Sequence, residues 1–264
     1  MQKYYGWGLP YNASAYGADV DRLIYLLHGF MILLFVGWLI FLVVALFKFR
    51  SRPGHQATYK ADHFKAPTYI EVGVALFEAF LLIGFSFPIA KHVRTLPPKG
   101  EALEVRVVAE QFAWNIHYPG PDGVFGKTDI QLMVPANPVG LDRNDPAAKD
   151  DITVINQLHV PVNKPVIVHL SSKDVIHSFF LPVMRVKQDV IPGQNVPVWF
   201  QAKDTGNFEI ACAQLCGLGH YRMRGFLIVE QPEQFAAWQA KYAPKVPAPA
   251  PVQTPASPVT VAKE

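Results

Sequence analysis

Two cysteines occur in the 264-residue chain, and both lie in ACAQLCGLGHYRMRG, residues 211–225, together with one histidine and one methionine. Cys212, Cys216, His220 and Met223 thereby bring two thiols, an imidazole and a thioether within twelve positions. Three chemistries suit such a set. The thiols can close as a disulfide or cycle as a redox dithiol, both of which an extracytoplasmic setting permits. They can hold a structural zinc ion, although a thioether is a poor zinc ligand and then stands idle. Or they can bind copper, which thiolate, thioether and imidazole select together by ligand type. A mononuclear blue-copper site uses one cysteine. A second thiolate therefore implies two bridging sulfurs that hold two copper ions close enough to share an electron. Each ion then needs its own imidazole, and the loop supplies His220 alone.

The second imidazole must come from elsewhere. His117, His159 and His169 stand in runs that read as strands, without a partner motif, and are expected to be surface or packed strand histidines. His177 differs. In SSKDVIHSFFLP a strand gives way to a loop ending in Pro182, a placement from which His177 meets the 211–225 loop across the end of a barrel.

The elements that position these residues fall into two textures. Half of the residues are hydrophobic and only 17% are charged, a composition that points to a membrane anchor. Leu23 to Phe47 is a 25-residue apolar run whose one histidine is His28 and which holds no charged side chain, long enough for a ~30 Å hydrocarbon core. Asp19, Asp21 and Arg22 precede it, unlike the basic start of a cleaved signal peptide. Val72 to Ala90 is a second run, with Glu78 inside it and Glu71 at its mouth. Lys48, Arg50, Arg52, Lys60 and Lys65 between the runs place that loop in the cytoplasm and both termini outside, although Lys91, Arg94 and Lys99 follow the second run. Residues 1–100 carry ten Lys/Arg against five Asp/Glu, whereas residues 101–240 carry eleven against fifteen. A mildly acidic outer domain favours basic partners and excludes nucleic acid.

Beyond Gly100 the runs LEVRVVA, DITVI, KPVIVHL, NVPVWFQA, NFEIA and GFLIVE alternate or are β-branched, between Pro, Gly, Asn and Asp. They predict an antiparallel sandwich or barrel, closed by a short helix over residues 232–243. The division is then an outer N-terminal segment (1–22), a two-helix membrane hairpin (23–98), a β domain (99–243) and a Pro/Ala-rich disordered tail (244–264). The polar stretch at 138–151 reads as a surface insertion, a solvated loop or part of a docking site.

DVIHSFFLPVMRVKQDVIPGQ followed by CAQLCGLGHYRM closely resembles subunit II of the haem–copper oxidases, the membrane cytochrome c oxidases. The resemblance runs from the first span to about residue 243. It implies a membrane-anchored, all-β fold: a two-helix transmembrane hairpin followed by an extracytoplasmic cupredoxin-like β-barrel with a dinuclear copper centre, CuA. It makes Cys212 and Cys216 bridging thiolates, His177 and His220 terminal imidazoles, Met223 a weak axial ligand and Gln214 the donor of a backbone carbonyl. It also implies a bacterial inner-membrane location with the copper domain on the periplasmic side. The partners it implies are a haem-bearing subunit I, further oxidase subunits, the lipid membrane and a c-type cytochrome donor. The chain is then part of an oxidoreductase that translocates protons, and alone reduces no oxygen.

Some residues depart from that pattern. Gln214 stands where the larger branch of the family has a Glu that reaches a magnesium ion, so a magnesium site is not expected. In AEQFAWNIHYPG the family's electron-accepting surface Trp is matched by Phe112, with Trp114 the next aromatic; ordinary strand aromatics look the same. Glu71 matches a carboxylate at a proton inlet of the family, or is an interfacial carboxylate, while Glu78 pairs with a neighbouring subunit. Lys187 and Asp189 match a K-x-D facing the haem propionates of subunit I, or sit in a salt-bridged surface loop. With no C-x-x-C-H, the chain attaches no covalent haem. The competing functions are a membrane-anchored copper chaperone or thiol reductant, which leaves His177, His220 and Met223 without a purpose, and the CuA subunit of a nitric-oxide reductase.

Overall fold

A computed structural model describes residues 8–56, 65–98 and 100–244. Lys60, Lys99 and the tail from residue 245 lie outside the described residues. Helix α1 (Gly17–Lys48) is 32 residues long, about 48 Å by its rise. The second rod runs from Ala66 to Arg94. It comprises α2 (Ala66–Leu81), a π turn (Leu82–Ser86) and α3 (Phe87–Arg94). Pro88 explains the irregular turn, because proline has no N–H to give and its ring presses on the carbonyl four residues back. Both rods extend beyond the apolar runs that seeded them. They lean together at Phe30 and Phe77, whose ring centroids are 4.7 Å apart, and leave most other apolar side chains facing outward. A helix apolar all round with its side chains exposed belongs in lipid. The chain is membrane-anchored.

Ten strands follow: β1 (Leu103–Glu110), β2 (Ala113–Tyr118), β3 (Ile152–Ile155), β4 (Gln157–Pro161), β5 (Pro165–Ser172), β6 (His177–Leu181), β7 (Val186–Val190), β8 (Val196–Gln201), β9 (Gly206–Cys212) and β10 (Arg224–Glu230). They form two five-stranded sheets, ordered β3-β2-β1-β5-β8 and β4-β10-β9-β6-β7. The cupredoxin-like expectation is met with one correction: the sheets are mixed, since β1 pairs parallel with β5 and β4 parallel with β10. Alternation puts Val105, Val107, Ala109, Val166, Val168, Leu170, Leu227 and Val229 inward, where they share one core with Trp114, Phe179 and Phe200.

Helix α4 (Pro232–Tyr242) starts with proline in its first turn and a reciprocal cap between Gln231 and Gln234. Phe235 and Trp238, three apart and so on one face, are buried. Trp238 stacks on His159 at 4.3 Å and meets Tyr118 edge-on, sealing the end of the sandwich opposite the cysteine loop.

Two segments are more ordered than their sequence suggests. Residues 138–151 are no free loop: Val139, Leu141 and Ala148 are buried against Val108 in a second small core. Asp151 is fully buried and bonded to His117 at 2.6 Å. The N-terminal segment lies on the β domain, with Ala13, Ser14 and Tyr16 buried and backbone bonds from Ala15 to Gln201 and from Lys203 to Ala13. Arg185 joins it to α1 by donating to both carboxylate oxygens of Asp21 (2.6 and 2.9 Å) and to the carbonyls of Pro10 and Pro182.

Candidate metal centre

Three connections converge at one end of the sandwich. Cys212 ends β9, and the β9–β10 loop after it carries Cys216, His220 and Met223, with a 3-10 turn at His220–Arg222. Beside it, β6 pairs antiparallel with β9 in the register Phe179↔Cys212. That register carries His177, two residues earlier, up to the loop, and a bond from Ala213 N to Ser178 O continues the pairing. The β1–β2 turn, with Gln111 and Phe112, covers the far side.

The donor atoms of the predicted set meet. The two sulfurs of Cys212 and Cys216 are 3.8 Å apart and both thiols are free. With metal–sulfur bonds of about 2.3 Å, one ion can touch both. His220 Nδ1 lies 3.6 Å from Cys216 Sγ, and His177 Nδ1 lies 3.2 Å from Met223 Sδ and 4.0 Å from Cys212 Sγ. Met223 Sδ is 3.7 Å from Cys216 Sγ, and the Gln214 carbonyl is 3.2 Å from Cys212 Sγ. Cys216, Met223 and His177 are buried. His220 and Cys212 border an open groove of about 410 Å³ with Tyr221 and Arg222.

Residues to which sequence reasoning gave no role hold this set in place. His177 Nε2 donates to Asp174 Oδ1 at 2.9 Å, so the ring's Nδ1 is the atom left for a metal. Asp174 Oδ2 also accepts from Gln111 N at 2.7 Å, and the Gln111 side chain donates to the Cys216 carbonyl at 2.7 Å. Asp174 and Gln111 thereby tie His177, the β1–β2 turn and the cysteine loop together. The signal was present in the D-x-x-H spacing; Gln111 is remote in sequence and gave none. Gly217 has φ +134°, and a Cβ there would lie 2.7 Å from the Gln111 amide and 3.2 Å from the Phe112 ring. Only glycine lets the loop approach so closely.

A metal needs thiolates and a neutral imidazole, and of the three pKa shifts at this site only that of Cys212 favours it, while those of Cys216 and His177 work against it. Burial opposes ionisation of Cys212, but hydrogen bonds from His177, from the Ser178 and Gln214 backbone and from His220 outweigh it and bring the thiol down to about 6. Cys216 moves up, through burial and the neighbouring Cys212. Burial likewise opposes charge on His177, yet its bonds to Cys212 and Asp174 raise its pKa.

Of the remaining predicted residues, Phe112 is half-buried against the cysteine loop, whereas Trp114 is fully buried, 6.2 Å from the His177 ring and 5.5 Å from Phe179. Trp114 is therefore no part of a docking surface. Lys187 and Asp189 lie exposed on strand β7 rather than on a loop, Lys187 over the Phe180 ring at 4.5 Å, and among the described residues neither is in an ion pair. Glu71 and Glu78 are exposed on α2, away from this site. His117, His159 and His169 are strand histidines bonded to Asp151, Glu230 and Glu104.

Residues 103–231 match the family model for the periplasmic domain of cytochrome c oxidase subunit II. The chain is 34% identical over 234 residues to an alternative cytochrome c oxidase subunit 2 of Bradyrhizobium diazoefficiens, covering 88% of this chain and 82% of that one. It belongs to the cytochrome c oxidase subunit 2 family. The subunit 2 of Cereibacter sphaeroides is 26% identical, over 88% of this chain and 79% of the relative. Among solved structures, the periplasmic domain of subunit II of cytochrome oxidase (CoxB) of Bradyrhizobium japonicum is 30% identical with a TM-score of 0.42, covering 56% of this chain and 96% of that one. The family model and the Bradyrhizobium diazoefficiens relative make the chain a subunit II of a cytochrome c oxidase, part of an oxidoreductase complex.

Proposed function

We propose that this subunit receives single electrons from a c-type cytochrome at a dinuclear copper centre in residues 99–243 and delivers them to haem in subunit I, where oxygen is reduced to water. The observation that carries this reading is the convergence of two sulfurs, two imidazole Nδ1 atoms, a thioether and a backbone carbonyl from two separate segments. A dithiol reductant has no use for the last four, and a chaperone that carries one copper has none for a second imidazole. Cys212, Cys216, His177 and His220 would hold the copper pair, with Met223 and the Gln214 carbonyl completing the set; thiolates, imidazoles and a thioether fit copper and not magnesium. When bound, the copper pair supplies a one-electron couple. The chain's own residues keep the ligands still: Asp174 fixes the His177 tautomer, Gln111 pins the loop, and the buried thioether and Trp114 exclude water. Rigid ligands move little when charge changes, which keeps the reorganisation cost low.

The segment ahead of α1 packs on the β domain, which supports a two-pass hairpin with both at one end, and the Lys/Arg between the spans support placing residues 49–65 in the cytoplasm and the copper domain on the periplasmic side of a bacterial inner membrane. Glu71 is assigned to a proton inlet beside subunit I, and Lys187 and Asp189 to the face toward the haem propionates. The decisive experiment uses purified oxidase with Cys212→Ser and Cys216→Ser together. Haem reduction by a reduced c-type cytochrome should fall at least a hundredfold while small mediators still reduce the haem; unchanged electron uptake would refute the reading.

A further inference from the structure

Strand β3 ends at Ile155 and β4 begins at Gln157, and the single residue between them, Asn156, carries the chain from one sheet to the other. It does so at φ 58°, a left-handed conformation that asparagine tolerates better than most side chains. In a hydrogen-bonded antiparallel pair, facing residues exchange two backbone bonds. Opposite Trp114 one of these is kept, from Asn156 N to the Trp114 carbonyl at 2.8 Å. The other is made by the side chain, with Trp114 N donating to Asn156 Oδ1 at 2.8 Å. The Asn156 carbonyl, released by the turn, accepts from Phe226 N of β10 at 2.8 Å. One residue thus fastens β2 in the first sheet to β10 in the second.

Both strands lead to the metal centre. Trp114 packs edge-on against His177 and Phe179. Its indole nitrogen is buried with no hydrogen bond to the described residues, so backbone and packing hold the ring. Met223 lies three residues ahead of Phe226, and its Sδ is 3.2 Å from His177 Nδ1. Between Met223 and Phe226, Gly225 passes so close that a Cβ there would lie 3.1 Å from Trp114 Cδ1 and 3.3 Å from Asn156 O. Asn156, Trp114, His177, Met223 and Phe226 therefore close a ring of contacts on the buried side of the centre.

We infer that Asn156 is a positioning residue for the metal centre: by fastening β2 to β10 it fixes how far the Trp114 wall stands from the strand that carries Met223, and hence where His177 and Met223 meet. The inference rests on the copper reading proposed above. Glycine at position 156 would keep the turn and lose the acceptor, whereas aspartate would keep both.

The test uses the full-length chain in detergent. Without metal, Asn156→Gly should speed hydrogen exchange at the Trp114 N–H about tenfold. Loaded with copper, it should hold the same number of ions per chain but release them to a competing chelator with about tenfold weaker affinity, and its optical and paramagnetic spectra should shift. Asn156→Asp should bring exchange and affinity back to within about twofold of the unaltered protein. A purely structural role would speed the exchange and leave affinity and spectra unchanged; that result overturns the proposal, as does unchanged exchange. Should Asn156→Gly not fold, Gly225→Ala presses on the same contact from β10, and spectra identical to those of the unaltered protein would overturn the proposal equally. The unaltered protein separates the two ideas. Without a shared-electron copper signal the electron-accepting role itself fails and takes the proposal with it; with the signal present, the variants judge Asn156 alone.

Discussion

His177 and Asp174, three residues apart, are joined by a 2.9 Å bond from Nε2 to Oδ1 that leaves Nδ1 facing the sulfurs. Asp174 is thus a positioning residue for a ligand it does not replace. Carboxylates behind a metal-bound histidine typically contribute 10–100-fold in metal affinity. Asp174→Asn, of nearly the same volume, should fold normally and lose copper affinity by about that factor in competition with a chelator. Affinity within twofold of the unaltered protein would show that the bond does not orient the ring.

Met223 is buried beside both Cys216 and His177. Met223→Leu conserves volume and should cost less than about 1.5 kcal/mol in unfolding. Copper content should hold while the optical and paramagnetic spectra shift, because the thioether is a weak ligand and its loss changes the ions' surroundings without emptying the site. An unchanged spectrum would remove Met223 from the ligand set.

Trp114 carries packing, and its substitution should show it. Trp114→Ala removes a fully buried indole that touches His177 and Phe179 and should destabilise the domain by about 3–5 kcal/mol in urea unfolding. Copper retention should fall with stability, since His177 loses its support. A cost below about 1 kcal/mol would contradict the structural role.

Arg185 clamps the N-terminal segment and the head of α1 to the β domain, its side chain largely buried against Asp21. Breaking a buried pair from one side leaves the other charge uncompensated, at about 3 kcal/mol or more. Arg185→Ala should therefore accelerate amide exchange across residues 8–21, and Asp21→Ala with Arg185→Ala should recover part of the loss. Equal exchange in all forms would show that the clamp is not what orders this segment.

Sequence alone revealed what is local. Four of the predicted ligand side chains lie within twelve residues, the spans are continuous apolar runs, and most strands show as β-branched or alternating segments. Long-range relations were hidden. Nothing in LEVRVVA or GFLIVE says that β1 lies parallel to β5 and β10 to β4, because strand partners are chosen by the whole core. The 138–151 stretch reads as polar because its buried residues, Val139, Leu141 and Ala148, are spaced irregularly among aspartates that cap turns. Trp114 and Phe112 look equivalent in QFAWNIHY, yet one fills the core and the other covers the loop; β2 pairing decides which.

The central claim is that residues 177 and 212–223 hold two coppers as one electron carrier. It is tested most directly by loading the full-length chain in detergent with copper under reducing conditions, then counting metal per chain and recording the paramagnetic resonance spectrum after oxidation. The account predicts two coppers per chain and one unpaired electron spread equally over both nuclei. One copper per chain with its electron localised, or thiols that take no metal, would contradict it.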